Sequence, residues 1–136
     1  MNSHIEREIK LRYLSHHKAR LAVDQLEGTP LHHRRLQDDY LLDLPSGELT
    51  HRDCTLRVRI EKPDNTDKST SSRATVTFKG PPLPDIMKVR EELETTIDNG
   101  EIFLRILLKA GWNVSFQYQK YREEFQKDDV VIAIDE

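Results

Sequence analysis

Residues Ile5–Arg12 read IEREIKLR, and the alternation in this stretch decides the fold. In an extended strand successive side chains point to opposite faces. Ile5, Arg7, Ile9 and Leu11 then share one face, and Glu6, Glu8, Lys10 and Arg12 share the other. For a single strand the ordinary reading is a sheet with its polar face in water. The alternative is a charged row that points into a site assembled from several strands. The rest of the chain has to choose between them.

Four more segments repeat the pattern. Cys54–Glu61 (CTLRVRIE) sets Leu56, Val58 and Ile60 against Arg57, Arg59 and Glu61. Arg73–Lys79 (RATVTFK) sets Ala74, Val76 and Phe78 against Arg73, Thr75, Thr77 and Lys79. Lys88–Thr95 (KVREELET) is rich in helix formers but lacks a cap; as a strand it groups Lys88, Arg90, Glu92 and Glu94. Ser115–Phe125 (SFQYQKYREEF) groups Tyr118, Lys120, Arg122 and Glu124. Solvated faces usually mix in Thr, Ser and Gln, whereas Arg, Lys and Glu dominate these rows.

Between the strands, Ser15 caps a helix predicted from His16 to about Glu27, with Leu21, Ala22 and Leu26 on its stripe and Gly28 as its stop. Arg35–Leu44 reads as a strand, residues 44–49 (LPSGEL) as a turn and Lys62–Ser72 as a polar loop. The prolines of Gly80–Pro84 make a stiff connection. Asp98 caps a second helix through Ala110, with Ile102, Phe103, Ile106 and Leu107 as its apolar stripe. Val130–Asp135 returns as a last strand in which Val131, Ala133 and Asp135 share a face.

The 136 residues suit one domain with a real core. A net charge of −3 argues against a non-specific nucleic-acid binder. The single cysteine, Cys54, excludes an internal disulfide and suits a reducing compartment. No run approaches the ~18 apolar residues of a membrane helix, and MNSHIEREIK lacks a signal-peptide core, so a soluble cytoplasmic chain is expected. His16, His17, His32 and His33 show no zinc spacing and read as surface residues; Cys54 reads as a structural thiol and Trp112 as a packing residue.

The apolar faces need cover, which the two helices can supply. If the sheet curls with that face outward, the charged rows line a barrel interior, where charges must be paired or must bind something. Arginines and lysines suit a polyanion with several phosphates. Carboxylate pairs among them would repel that ligand unless they hold Mg²⁺ or Mn²⁺. The pattern therefore suggests a metal–triphosphate complex, and composition and spacing go no further.

The ordered set of motifs resembles the CYTH superfamily, also called triphosphate tunnel metalloenzymes. Glu6-x-Glu8-x-Lys10 resembles its N-terminal signature and Leu56-Arg57-Val58-Arg59 its LRxR strand. Thr77-Phe78-Lys79-Gly80 looks like its T-[YF]-K-G strand end, and Arg90-x-Glu92-x-Glu94 like its RxExE strand. Lys120-x-Arg122 resembles its KxR strand, and Ile132-Ala133-Ile134-Asp135 the strand with the late Asp. Gln37, Asp39 and Asp43 fit the family's Q-x-D-x-Y-F-D strand, with Leu41 where Tyr is usual. Family members usually continue through a Gly-containing turn into a strand with an ExE pair, whereas this sequence stops at Glu136.

The resemblance implies an α+β fold: an antiparallel β-barrel, the triphosphate tunnel, of about eight strands with flanking helices. One CYTH domain would span 1–136, short at its C-terminus, with its last strand allowed to fall outside this chain. By position, Lys10, Arg57, Arg59, Lys79, Arg90, Lys120 and Arg122 would contact phosphates. Glu6, Glu8, Glu92, Glu94 and Asp135 would be the acids for Mg²⁺ or Mn²⁺, and Lys10, Glu8 and Arg57 would carry catalysis. Arg12, at the strand end, and Arg73, beside the polar loop, are weaker members, and Glu124 is a candidate partner for a tunnel cation. The first expectation is a metal-dependent triphosphatase acting on inorganic triphosphate, thiamine triphosphate or a nucleoside triphosphate. The alternatives are a class IV adenylyl cyclase and a non-catalytic polyphosphate-binding module. The expected partner is a triphosphate-containing small molecule, not nucleic acid or membrane, and a homodimer is allowed.

Overall fold

The computed structural model describes residues 5–63, 72–85 and 88–136. Strands β1 (Ile5–Glu8), β2 (Thr29–Asp43), β3 (Thr55–Pro63), β4 (Arg73–Lys79), β5 (Lys88–Ile97), β6 (Asn113–Lys127) and β7 (Val130–Asp135) form one sheet in the order β1-β5-β4-β3-β2-β6-β7. The β1–β5, β4–β5 and β6–β7 pairs are antiparallel. Helices α1 (His16–Gln25), α2 (Glu48–His51) and α3 (Gly100–Lys109) complete an α+β fold. No helix among the described residues is long and apolar enough to cross a membrane.

The chain divides into two compact units. The first comprises Met1–Lys10, Asp38–Ile60 and Arg73–Tyr118; the second comprises Leu11–Gln37, Glu61–Ser72 and Gln119–Glu136.

The first unit is built on the alternation of β3 and β4. Val58, Ile60 and Ala74 enter a core with Leu42 of β2 and Leu104 of α3, and Leu56, Val76, Phe103, Leu107 and Trp112 pack around it. The opposite face of the same strands carries Arg59, Thr75 and Thr77, which are as buried as the apolar core. The middle of the polar face is therefore buried, while Arg57 and Lys79 are partly buried and Arg73 is exposed. Helix α3 begins one residue later than expected: Asn99, not Asp98, is the cap, its Oδ1 accepting from Ile102 N at 3.0 Å. Its inward stripe is also turned. Phe103, Leu104 and Leu107 face the core, while Ile102 and Ile106 are exposed. The expected turn after β2 contains α2. Asp43 organises it: its carboxylate accepts from Leu44 N, Leu49 N, Thr50 N and the Thr50 hydroxyl at 2.7–3.0 Å. The Thr50 hydroxyl, against burial and with those backbone N–H groups, lowers the Asp43 pKa to about 2.

In the second unit Ser15 caps α1 as expected, its Oγ accepting from Lys18 N at 3.1 Å. The buried face is Ala19 and Val23 against Phe125, Ile132 and Ile134. Leu21 and Leu26, expected on the stripe, are exposed. The reason is the same in both helices. Apolar residues on these short helices cover more than one face, and the sheet's own side chains choose which face is used.

Strands β3, β5 and β6 shift by one or two residues at an end, and two boundaries differ by more. β1 stops at Glu8, so Ile9 and Leu11 are exposed and Lys10 and Arg12 lie beyond the strand. β2 starts at Thr29, with Pro30 tolerated in its first turn of chain, so His32 and His33 are strand rather than loop residues. Lys62 and Pro63 close β3; the remainder of the expected polar loop, residues 64–71, lies outside the described residues.

A Cβ on Gly100 would meet the Ala74 Cβ at 2.6 Å and the Ile60 Cγ1 at 3.0 Å. Helix propensity alone makes Gly→Ala stabilising by ~1 kcal/mol in a helix interior. Here overpacking of the core outweighs it, and Gly100→Ala is expected to destabilise the fold by roughly 1–3 kcal/mol. Chemical denaturation checks this; an unchanged or raised midpoint contradicts the close approach of α3 to β4.

Candidate functional site

The strand registers place acids opposite bases. Glu6 faces Arg90 and Glu8 faces Lys88 across β1–β5; Lys79 faces Glu92 and Thr77 faces Glu94 across β4–β5. The Lys79 ammonium reaches Glu6 Oε2 at 2.8 Å and Oε1 at 2.9 Å and stands 3.6 Å from Glu92. One cation thus joins carboxylates from β1 and β5. Glu6 and Glu8, two apart on one strand face, are also in side-chain hydrogen-bond reach. Burial works to raise the Glu8 pKa. The bond with Glu6 and the charges of Lys79, Lys10 and Lys88 outweigh it, and the group titrates below its ordinary value. Lys10, past the end of β1, is largely exposed and sits 3.6 Å from Glu8.

A second cluster joins β2, β3, β4 and β5. Asp39, fully buried, accepts from Arg59 Nε at 2.7 Å and Nη2 at 2.9 Å. The Tyr118 hydroxyl also bonds to Asp39. Burial would raise the Asp39 pKa, but Arg59, then Arg57 and Tyr118, hold it below the usual carboxylate range. Arg57 lies beside Arg59 on the same face. Its Nη2 donates to Thr77 Oγ1 at 3.3 Å and lies 3.7 Å from Glu94, to which the Thr77 hydroxyl donates. Burial and the neighbouring Arg59 cation lower the Arg57 pKa, and its Nε is buried without a hydrogen-bond partner. An arginine so placed is a ready anion donor. Arg90 is engaged differently: its Nη2 donates to the Asp53 carbonyl at 2.8 Å.

In the second unit Asp135 faces Arg122 across β6–β7. It accepts from Arg122 Nε at 2.6 Å and Nη2 at 2.8 Å, and from Lys120 Nζ at 3.1 Å. Arg35 pairs with Glu61 at 3.0 Å and with Glu124 at 3.5 Å, and Glu123 takes Arg20 and His16.

The structure therefore brings Glu6, Glu8, Glu92 and Lys79 together, and Arg57 together with Glu94 and Arg59. Lys120, Arg122 and Asp135 form their own group. Lys10 is at the margin of the first cluster, and Arg73 is exposed. Sequence reasoning gave no role to Tyr118 or Arg35 and assigned Asp39 none beyond its place in a motif. The signal was present: Arg35, Gln37 and Asp39 alternate within the expected strand as the other rows do, but Leu41 interrupts the row.

Among the described residues, no three His, Cys, Asp or Glu side chains converge as a metal-ligand group. Mg²⁺ is commonly held by one or two carboxylates, with phosphate and water completing its shell. The close Glu6–Glu8 pair, already drawing an ammonium, has the hard oxygen chemistry such an ion requires.

Residues 4–136 match the CYTH domain. A protein of Methanocaldococcus jannaschii, provisionally named an adenylate cyclase, is 30% identical over 97% of this chain and 70% of its own length. The solved structure of a Vibrio parahaemolyticus protein, also provisionally named an adenylate cyclase, superposes with a TM-score of 0.77 at 20% identity. It covers 99% of this chain and 70% of that one. A provisional adenylyl cyclase from Hippeastrum, described as having a dominant triphosphatase activity, gives 0.64 at 17% identity over 96% and 69% of the two chains. These two structures share the fold.

Burial works against ionisation of Asp135, yet Arg122 and Lys120 lower its pKa to about 2. A depressed carboxylate contributes stability above its unfolded pKa and loses it as pH falls through the folded one. The Asp135 pairing is therefore expected to persist below pH ~3.8, the ordinary value, and to fail near pH ~2. Carboxyl-carbon NMR titration reads this directly; a midpoint at the ordinary value contradicts the pairing.

Proposed function

The chain belongs to the CYTH domain family, and from that premise we propose that it is a divalent-metal-dependent triphosphatase that cleaves a terminal phosphoanhydride bond. The observation that carries the reading is Lys79 set between Glu6 and Glu92, on the strand whose Thr77 accepts a hydrogen bond from Arg57. Carboxylates and cations interleaved on one face suit a polyphosphate that arrives with a metal ion. Neither charge alone would accept that ligand well.

Glu6 and Glu8 are the residues to hold Mg²⁺ or Mn²⁺, with Glu92 and Glu94 as further acids on the same face. Bound there, the ion would supply neutralisation of the charge on phosphate oxygens. Lys79, Arg57 and Arg59 bind and orient the phosphates, and Lys10 and Arg90 are additional donors. In the second unit Lys120 and Arg122 form a cationic group of their own whose counter-ion is Asp135. Glu8, kept ionised by the cations around it, accepts a hydrogen bond from the attacking water and holds it in line. The water oxygen bonds to the terminal phosphorus, the bond to the bridging oxygen breaks, and that oxygen leaves with the electron pair. Lysines and arginines draw off the charge that develops there.

The second reading is an adenylyl cyclase, in which the ribose 3′-hydroxyl attacks the α-phosphorus and pyrophosphate leaves. The name of the Methanocaldococcus relative favours it, whereas the activity described for the Hippeastrum neighbour favours hydrolysis. Incubation with inorganic triphosphate, thiamine triphosphate and ATP, each with Mg²⁺ or Mn²⁺, separates them. Orthophosphate release is expected. Cyclic AMP with pyrophosphate would establish the second reading instead, and tight binding without either product would leave a binding module.

Glu8→Ala is expected to lower turnover by about 100-fold or more, as loss of a positioned charged group in a phosphoryl-transfer site does. Its thermal midpoint should hold, because β1 pairs through its backbone. Turnover near the wild-type level would remove Glu8 from the site.

A further inference from the structure

We propose that Asp39, locked by the Tyr118 hydroxyl, is a positioning residue that presents Arg59 to the terminal phosphates of the substrate. The inference rests on the triphosphate reading and adds a residue pair that acts only through Arg59.

The geometry supports a positioning role. Asp39 is 0% exposed and takes two N–H donors of Arg59, one on Nε and one on Nη2. A guanidinium is planar and its donors are fixed in one fork, so these two bonds set the plane and leave Nη1 for another acceptor. A third bond, from Tyr118, fixes the carboxylate itself. Tyr118 is held in turn. Its ring packs on Phe116 at 5.7 Å, and neighbouring β6 side chains tie back to β2 through Ser115 to the Leu41 carbonyl and Gln117 to Asp38. Arg57, alongside, is steadied separately by Thr77 and Glu94. Two like-charged guanidiniums on one buried face repel each other and would swing apart without such tethers. A flexible arginine loses side-chain entropy when it binds phosphate, and a tethered one has lost it already.

The rival explanation is that Asp39 only dilutes positive charge. The two make opposite predictions. If Asp39 merely cancels charge, Asp39→Asn binds a polyanion more tightly. If it positions Arg59, the same change weakens binding, because Asn cannot accept both N–H groups.

The test is calorimetric titration of inorganic triphosphate into the wild-type chain, Asp39→Asn, Tyr118→Phe, Arg59→Gln and the Asp39→Asn/Arg59→Gln double variant. Loss of a charge-assisted fork predicts a dissociation constant about tenfold higher for Asp39→Asn and about threefold higher for Tyr118→Phe. The double variant should bind no worse than Arg59→Gln alone, since Asp39 acts through Arg59. Equal or tighter binding by Asp39→Asn, or multiplicative losses in the double variant, overturns the proposal. If Asp39→Asn does not fold, Tyr118→Phe decides: wild-type affinity overturns the proposal and weaker binding at an unchanged thermal midpoint supports it. The Arg59 Nε–H NMR signal gives a readout without ligand, expected to be slow-exchanging in the wild type and faster in Tyr118→Phe. A wild-type chain that binds no triphosphate but keeps that contrast refutes the triphosphate reading. One that binds triphosphate and shows no contrast refutes the role of Asp39 and Tyr118.

Discussion

Asp39 sits with no exposure to solvent and holds Arg59 through two hydrogen bonds of 2.7 and 2.9 Å. A buried charge must be compensated, since leaving one partner of such a pair alone costs roughly 3–5 kcal/mol. That constraint runs through the whole polar face of the first unit. Arg57 needs Thr77 and Glu94, Lys79 needs Glu6 and Glu92, and Glu6 and Glu8 tolerate each other because lysines surround them. Replacing these groups with apolar residues would satisfy stability more simply. Their presence in matched sets, with the Arg57 Nε lacking a hydrogen-bond partner, is what supports the proposed ligand-binding role of this face.

The apolar side of the strands is simpler in its demands. Val58, Ile60 and Ala74 require cover, and α3 supplies Leu104 at a distance of approach only Gly100 permits. This core fixes the strands against which the charged groups are measured. The second unit repeats the scheme at smaller scale. Val23, Phe125 and Ile134 form its core, while Asp135 gathers Lys120 and Arg122 and Glu123 gathers Arg20 and His16. In both units, hydrophobic burial supplies the non-directional stabilisation and ion pairs supply register.

Much of this was legible in the chain. The alternation of β3, β4 and β5 assigned their faces correctly, because a period of two leaves no ambiguity once a strand is recognised. The ordered motifs identified the family and hence the fold. Helix faces were read less well. Leu21, Leu26, Ile102 and Ile106 were assigned inward and are exposed, because a helix with apolar residues on several sides can rotate until one set meets the sheet. Arg35 fell inside the expected strand, but Leu41 interrupts the alternation of Arg35, Gln37 and Asp39, and this polar row was not counted.

The sequence by itself determined which residues carry charge on which face of each strand, and that such rows demand either partners or a ligand. This follows from backbone geometry and solvation alone. Only the tertiary structure decided who partners whom: that Asp39 takes Arg59, that Thr77 links Arg57 to Glu94, and that Arg90 turns to the Asp53 carbonyl. Pairing depends on strand order and register, which bring together groups tens of residues apart, and no local periodicity encodes those distances.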